Sequence, residues 1–177
     1  MNSRASQVDW PQQIHEAPLR EGRCTVTHVD AMLGVGAAMA SCLAGGMVIT
    51  LSGDLGAGKT TLVRGLLRGL GWAGPVKSPT YTLVEHYALS SLYCYHFDFY
   101  RLDDPHEWEN AGFADYFSPA AACLVEWPER ARGYLPTPDL ALELAYACRD
   151  SNARDLQLRA YSVAGERCLN AALAAPS

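Results

Sequence analysis

Gly53-Asp54-Leu55-Gly56-Ala57-Gly58-Lys59-Thr60 form the pattern G-x-x-x-x-G-K-[ST], and their flanks leave little freedom of architecture. Met47-Val48-Ile49-Thr50-Leu51 ahead of them is apolar and β-branched, as a buried strand requires. Thr61 to Leu70 behind them carries apolar residues at helical spacing. Strand, glycine loop and helix in that order make a phosphate-binding loop. Glycine at 53, 56 and 58 lets the backbone approach phosphate closely, with successive N–H groups turned into one anion-binding concavity at the positive end of the helix. Lys59 supplies a mobile point charge for the β- and γ-phosphates, and the Thr60 hydroxyl is a Mg²⁺ ligand.

Composition sharpens this reading. Of 14 basic residues only Lys59 and Lys77 are lysine. With residues used at these frequencies, roughly 0.0015 accidental matches to the octet are expected. At 177 residues the chain fits one domain, which would bury about 70% of its unfolded surface. A net charge of −5 argues against a broad nucleic-acid footprint, so contact with RNA would be local or made through a partner. Six scattered cysteines show neither a C-x-x-C pair nor zinc-ligand spacing, and Cys94 and Cys123 read as small core residues. No apolar run reaches the length of a membrane span, and the polar start lacks the apolar core of a signal peptide. A cytoplasmic protein with reduced thiols is expected.

The elements follow from pattern. Residues 1–21 read as a polar, flexible extension and 22–177 as a single domain. A capped helix runs from about Met32 to Leu43 and ends at Gly45-Gly46. The loop helix stops near Gly71. Tyr81–Tyr87 and Leu92–Phe99 read as a hairpin, and Asp104-Pro105-His106-Glu107 as a helix start that breaks near Gly112. Ala121 to Glu126, Leu140 to Tyr146 and Leu156 to Tyr161 read as strands, and Gly165 to Leu173 as a closing helix. The expected fold is α/β, a three-layer α/β/α arrangement around a mixed central sheet.

A nucleotide hydrolase needs an acid beside the loop, at the carboxyl end of a neighbouring strand. Asp98 and Glu126 both qualify. Glu126 ends the more apolar strand and is the stronger Mg²⁺ candidate. Asp98 either holds the metal through water or positions the attacking water. His96 shares a strand face with Asp98 and reads as a packed core histidine. Trp127 shields the site, touches the nucleotide, or packs in a core or interface. Ser78-Pro79-Thr80-Tyr81-Thr82 has the hydroxyl-rich character of a segment that orders around γ-phosphate, although a plain turn would look similar.

Four ordered blocks resemble the TsaE family, also called YjeE. They are Gly53 to Thr61, Val76 to Glu85 (containing Ser-Pro-Thr-Tyr-Thr-Leu-Val), Tyr95 to Leu102 (containing His-Phe-Asp-Phe-Tyr-Arg-Leu), and Cys123 to Pro128 (containing Val-Glu-Trp-Pro). The resemblance covers roughly residues 28–162. It implies a small ATPase of tRNA threonylcarbamoyladenosine biosynthesis, using ATP and Mg²⁺. It implies TsaB-like and TsaD-like partner proteins, with tRNA reached only through them. It also implies that Ser78 to Thr82 is the switch and that Thr60 and Glu126 serve Mg²⁺. The expected nucleotide contacts are Gly53, Asp54, Leu55, Gly56, Ala57, Gly58, Lys59, Thr60, Thr61, Thr80, Asp98 and Trp127, with Lys59, Asp98 and Glu126 as catalytic groups. Arg149 or Arg154 is expected to face the nucleotide, and the adenine pocket to lie near Thr27 to Asp30, where the sequence is not distinctive. Two other functions fit a phosphate loop: a regulator in which ATP only orders an interface, and a small-molecule kinase. The kinase would need an arginine-rich lid, and Arg101, Arg130 and Arg132 form no compact cluster.

Overall fold

The computed structural model describes residues 17–90, 92–104, 106–147 and 152–175. Most of the expected extension (1–16) and Arg149 lie outside that set. Seven strands form one sheet: β1 (Arg20–Val26), β2 (Val48–Ser52), β3 (Val84–Ala88), β4 (Tyr93–Asp98), β5 (Ala121–Glu126), β6 (Leu140–Tyr146) and β7 (Arg154–Ala160). Their spatial order is β1-β7-β6-β2-β5-β4-β3. The four central strands, β6, β2, β5 and β4, are mutually parallel, while β3, β7 and β1 add antiparallel edges. The fold is therefore α/β with a mixed sheet, as the pattern predicts.

Burial follows position in the sheet. All six residues of β5 are buried, as a strand covered on both faces requires. Edge strand β1 alternates weakly, with Gly22, Cys24 and Val26 turned inward. Its Arg20 lies within the stretch read from sequence as extension, and the strand itself was not anticipated.

Helices α1 (Val29–Met39), α2 (Lys59–Gly69) and α4 (Val163–Leu173) cover one face. His28 caps α1 by accepting from the Ala31 N–H, and Ser162 caps α4 by accepting from the Gly165 N–H. Helix α1 passes into a 3-10 turn at Ala40–Cys42, earlier than the glycine pair expected to end it. Helices α1 and α2 pack backbone to backbone. A Cβ at Gly36 would stand 2.2 Å from the Leu62 carbonyl oxygen, and one at Gly65 would stand 2.2 Å from that of Leu33. This close seat fixes the helix that begins at Lys59 against the sheet.

The opposite face is covered by short pieces: α3 (His106–Asn110) and 3-10 turns at Phe113–Tyr116 and Pro128–Ala131. Aromatic rings fill this second core. Phe97 meets Phe99, Trp108, Phe113, Tyr116 and Phe117 with ring centroids 5.4–6.5 Å apart. Large buried rings offset the little regular structure here, each contributing about 1.5–3 kcal/mol by burial. The layer also holds β4 and β5 in place, and their last residues are Asp98 and Glu126. None of the five described cysteines is in a disulfide; Cys94 and Cys123 are buried, and burial pushes the Cys123 thiol up to about 12. No helix among the described residues is long and apolar enough to cross a membrane.

Candidate nucleotide and metal site

Leu51, Glu126 and Asp98 stand at one level on adjacent parallel strands. The carboxyl ends of β2, β5 and β4 therefore converge where open α/β sheets bind ligands. The glycine loop leaves β2 at this point. Gly53 takes φ of +131°, and a Cβ there would lie 2.1 Å from the Leu144 carbonyl oxygen. Gly58 takes φ of +107° as the residue that opens α2. Both positions require glycine, and the loop's shape is set by backbone alone.

Lys59 is buried and folded onto its own loop. Its Nζ donates to the carbonyl oxygens of Gly53 (2.6 Å) and Asp54 (3.0 Å) and lies 4.0 Å from the centre of the Trp127 ring. Burial pushes this ammonium below the ordinary lysine range, while Glu126 first and Asp98 next hold it up. Trp127 thus covers the lysine. Its backbone is left-handed at φ +58°, a costly conformation for a large side chain.

Glu126 is 2% exposed. Its Oε1 accepts the Thr60 hydroxyl at 2.8 Å, joining the loop to β5. The same oxygen lies 2.9 Å from His96 Nε2. His96 is thus no merely packed ring but a partner of the strongest metal candidate. A hydroxyl and a carboxylate make an all-oxygen set that suits Mg²⁺. No group of three or more His, Cys, Asp or Glu side chains among the described residues could hold a metal.

Asp98, 3% exposed, faces the Ser78–Thr82 segment. Its Oδ2 accepts the hydroxyls of Ser78 and Thr80, the latter at 2.9 Å, and Oδ1 accepts the Tyr100 N–H at 3.0 Å. Ser78 and Thr80 hydroxyls also meet at 2.6 Å. The segment ends at Leu83, whose φ of +63° is held by bonds from its own N–H to the Pro79 carbonyl and from the Asp98 N–H to its carbonyl. Tyr81, at the segment's tip, is 83% exposed and carries the Arg101 guanidinium 4.5 Å over its ring.

On the loop's other flank, the Tyr146 hydroxyl donates to the Leu55 carbonyl at 3.0 Å. Arg154 stacks 4.0 Å over the Tyr146 ring and donates to the Gly56 carbonyl at 3.4 Å. Of the two arginines considered from sequence, Arg154 meets the loop, and Arg149 lies outside the described residues. The part played by Tyr146 was not anticipated; its exposed ring at a strand end was the available signal. Thr61 lies in the first turn of α2. A separate cleft of about 580 Å³ opens beside the Pro128–Ala131 turn, lined among others by Thr50, Ser52, Arg132 and Tyr161, and no residue of Gly53–Thr60 lines it.

The chain is similar to known proteins. The profile of the family described as "Threonylcarbamoyl adenosine biosynthesis protein TsaE" matches residues 26–156. A protein of Haemophilus influenzae named "tRNA threonylcarbamoyladenosine biosynthesis protein TsaE" is 47% identical over 125 residues, covering 71% of this chain and 77% of that protein. A Nostoc protein of the same name is 35% identical over 137 residues, covering 75% and 82% respectively. A crystal structure of Bacillus subtilis YdiB superposes with a TM-score of 0.73 at 28% identity, over 87% of this chain and 95% of that one.

Proposed function

Since the chain belongs to the TsaE family of threonylcarbamoyladenosine biosynthesis proteins, we propose that it binds ATP with Mg²⁺ and hydrolyses it slowly, in support of the transferase that modifies tRNA. The observation that carries this reading is the Thr60–Glu126 hydrogen bond, which ties the phosphate loop to a buried acid at the end of the next parallel strand. In this reading the loop N–H groups cradle the phosphates. Lys59 exchanges its bonds to the Gly53 and Asp54 carbonyls for phosphate oxygens. Thr60 and Glu126 would hold Mg²⁺, which when bound neutralises charge on the β- and γ-phosphate oxygens. Trp127 excludes water from Lys59. Asp98 acts through the hydroxyls it holds, placing Thr80 at the edge of the site.

The proposed partners are TsaB-like and TsaD-like proteins, with tRNA reached through them. Tyr81, exposed on the segment that Asp98 holds, is the group best placed to report nucleotide state to a partner. That coupling also supports a second reading, a nucleotide-dependent binding module without useful turnover.

Phosphate release from ATP and Mg²⁺, measured with the chain alone and with both partners added, separates the two. Slow release that the partners raise is expected, and Glu126→Ala should abolish it. Wild-type release from Glu126→Ala would remove the proposed mechanism. Tight ATP binding with no release under either condition would leave the binding module.

A further inference from the structure

We propose that His96 is a positioning residue for Glu126: its Nε2–H fixes one carboxylate oxygen and leaves the other available to a cation. This inference rests on the reading of Glu126 given above and adds the group that orients it.

His96 and Glu126 both face helix α2. In the β4–β5 register His96 stands beside Leu124 and Asp98 beside Glu126, and Leu124 packs in the core beneath α1 and α2. The His96 ring therefore reaches diagonally to the next position of the neighbouring strand, where Nε2 meets Oε1 at 2.9 Å. The ring is wholly buried. Its other nitrogen, Nδ1, is buried with no hydrogen-bond partner among the described residues.

A carboxylate oxygen can only accept, so the ring nitrogen that meets Oε1 carries a proton and donates it. Nδ1 has no partner among the described residues, so the ring's hydrogen bonding is spent on Glu126.

The bond matters for a metal-binding acid. A donor on Oε1 fixes the carboxylate's rotamer and leaves Oε2 to accept a ligand. Thr60 donates to the same oxygen from the loop side, so Oε1 is held from two directions. Hydrogen bonds that orient a ligating carboxylate commonly change metal affinity or activity by about 10–100-fold when lost.

Two measurements on the full chain test this. Long-range ¹H–¹⁵N correlation on histidine-labelled protein, with the His96 signals assigned by their loss in His96→Gln, should show a protonated-type Nε2. An unprotonated Nε2 would overturn the proposal, whatever the protein hydrolyses. The second is the Mg²⁺ dependence of phosphate release in His96→Leu and His96→Gln, each first shown to keep the wild-type circular dichroism. His96→Leu should lower kcat or weaken the Mg²⁺ midpoint by about 10–100-fold with little change in the KM for ATP. His96→Gln, which keeps an N–H near the Nε2 position, should recover most of that loss. If Glu126→Ala abolishes release while His96→Leu stays within twofold of wild type, or if Gln restores nothing, His96 does not position Glu126. If Glu126→Ala itself releases phosphate at the wild-type rate, the functional reading fails instead, and the nitrogen spectrum alone decides the proton's place.

Discussion

Glu126 and Asp98 end adjacent parallel strands at the same level, and both are almost wholly buried. Their partners differ in kind. Glu126 is held by Thr60 in the first turn of α2 and lies against His96 in the middle of β4, both parts of the packed framework. Asp98 is held by Ser78 and Thr80, whose segment has no ladder pairing of its own. One acid is thereby fixed to the glycine loop, and the other to a segment outside the sheet's ladders. In the proposed reading, chemistry and switching are divided between these two carboxylates, of which the sequence marks Glu126 as the stronger metal candidate.

The largest test of this division lies on the Glu126 side. Thr60→Ala removes both the bond to Glu126 and a proposed metal ligand. It should cut kcat by about 100-fold, equivalent to ~2.7 kcal/mol of barrier, with amide exchange across residues 78–83 unchanged. Single-turnover phosphate release read beside hydrogen-exchange mass spectrometry checks both halves. Faster exchange in residues 78–83 of Thr60→Ala would show that the two acids are not separate.

On the other side, Asp98→Ala strips two hydroxyls and the Tyr100 N–H of a charged acceptor. Because Ser78 and Thr80 are half-buried, water recovers part of the loss, leaving roughly 1–2 kcal/mol. Amides of residues 78–83 should then exchange about tenfold faster without a matching change in the rest of the sheet. Partner capture should also lose its dependence on ATP. An unaltered exchange pattern would mean that the Leu83 turn holds the segment unaided.

Much of this was legible in the sequence for physical reasons. The glycine loop announces itself because only glycine tolerates the angles at 53 and 58, and Glu126 because a wholly apolar strand must end at a polar residue. Strands β5 and β6 match the expected bounds, since burial on one or both faces writes a clear pattern. Strand β1 was missed because an edge strand of Arg, Glu and Gly with one apolar face mimics a polar tail. The contacts of His96 and Arg154 were open for another reason. Each joins segments far apart in the chain, strand to strand for His96 and strand to loop for Arg154, and strand order is not encoded locally.

The finest comparison uses Lys59, which senses both acids. Burial lowers its pKa, and Glu126 opposes that shift more than Asp98 does. The sign for stability follows directly. Between the lowered value and the ordinary lysine value, the unfolded chain binds more protons than the folded one, so stability rises with pH across that window. The gain is complete only above the ordinary lysine value. Lys59→Met, lacking the ammonium, should show no such rise, and the difference between its denaturant midpoint and that of wild type isolates the effect. Because the chain has only two lysines, labelling their Cε carbons yields two signals, and Lys59→Met assigns them. Glu126→Gln should lower the Lys59 midpoint further, and by more than Asp98→Asn does. The reverse order would place Asp98, not Glu126, nearer the charge that the phosphate loop presents to its ligand.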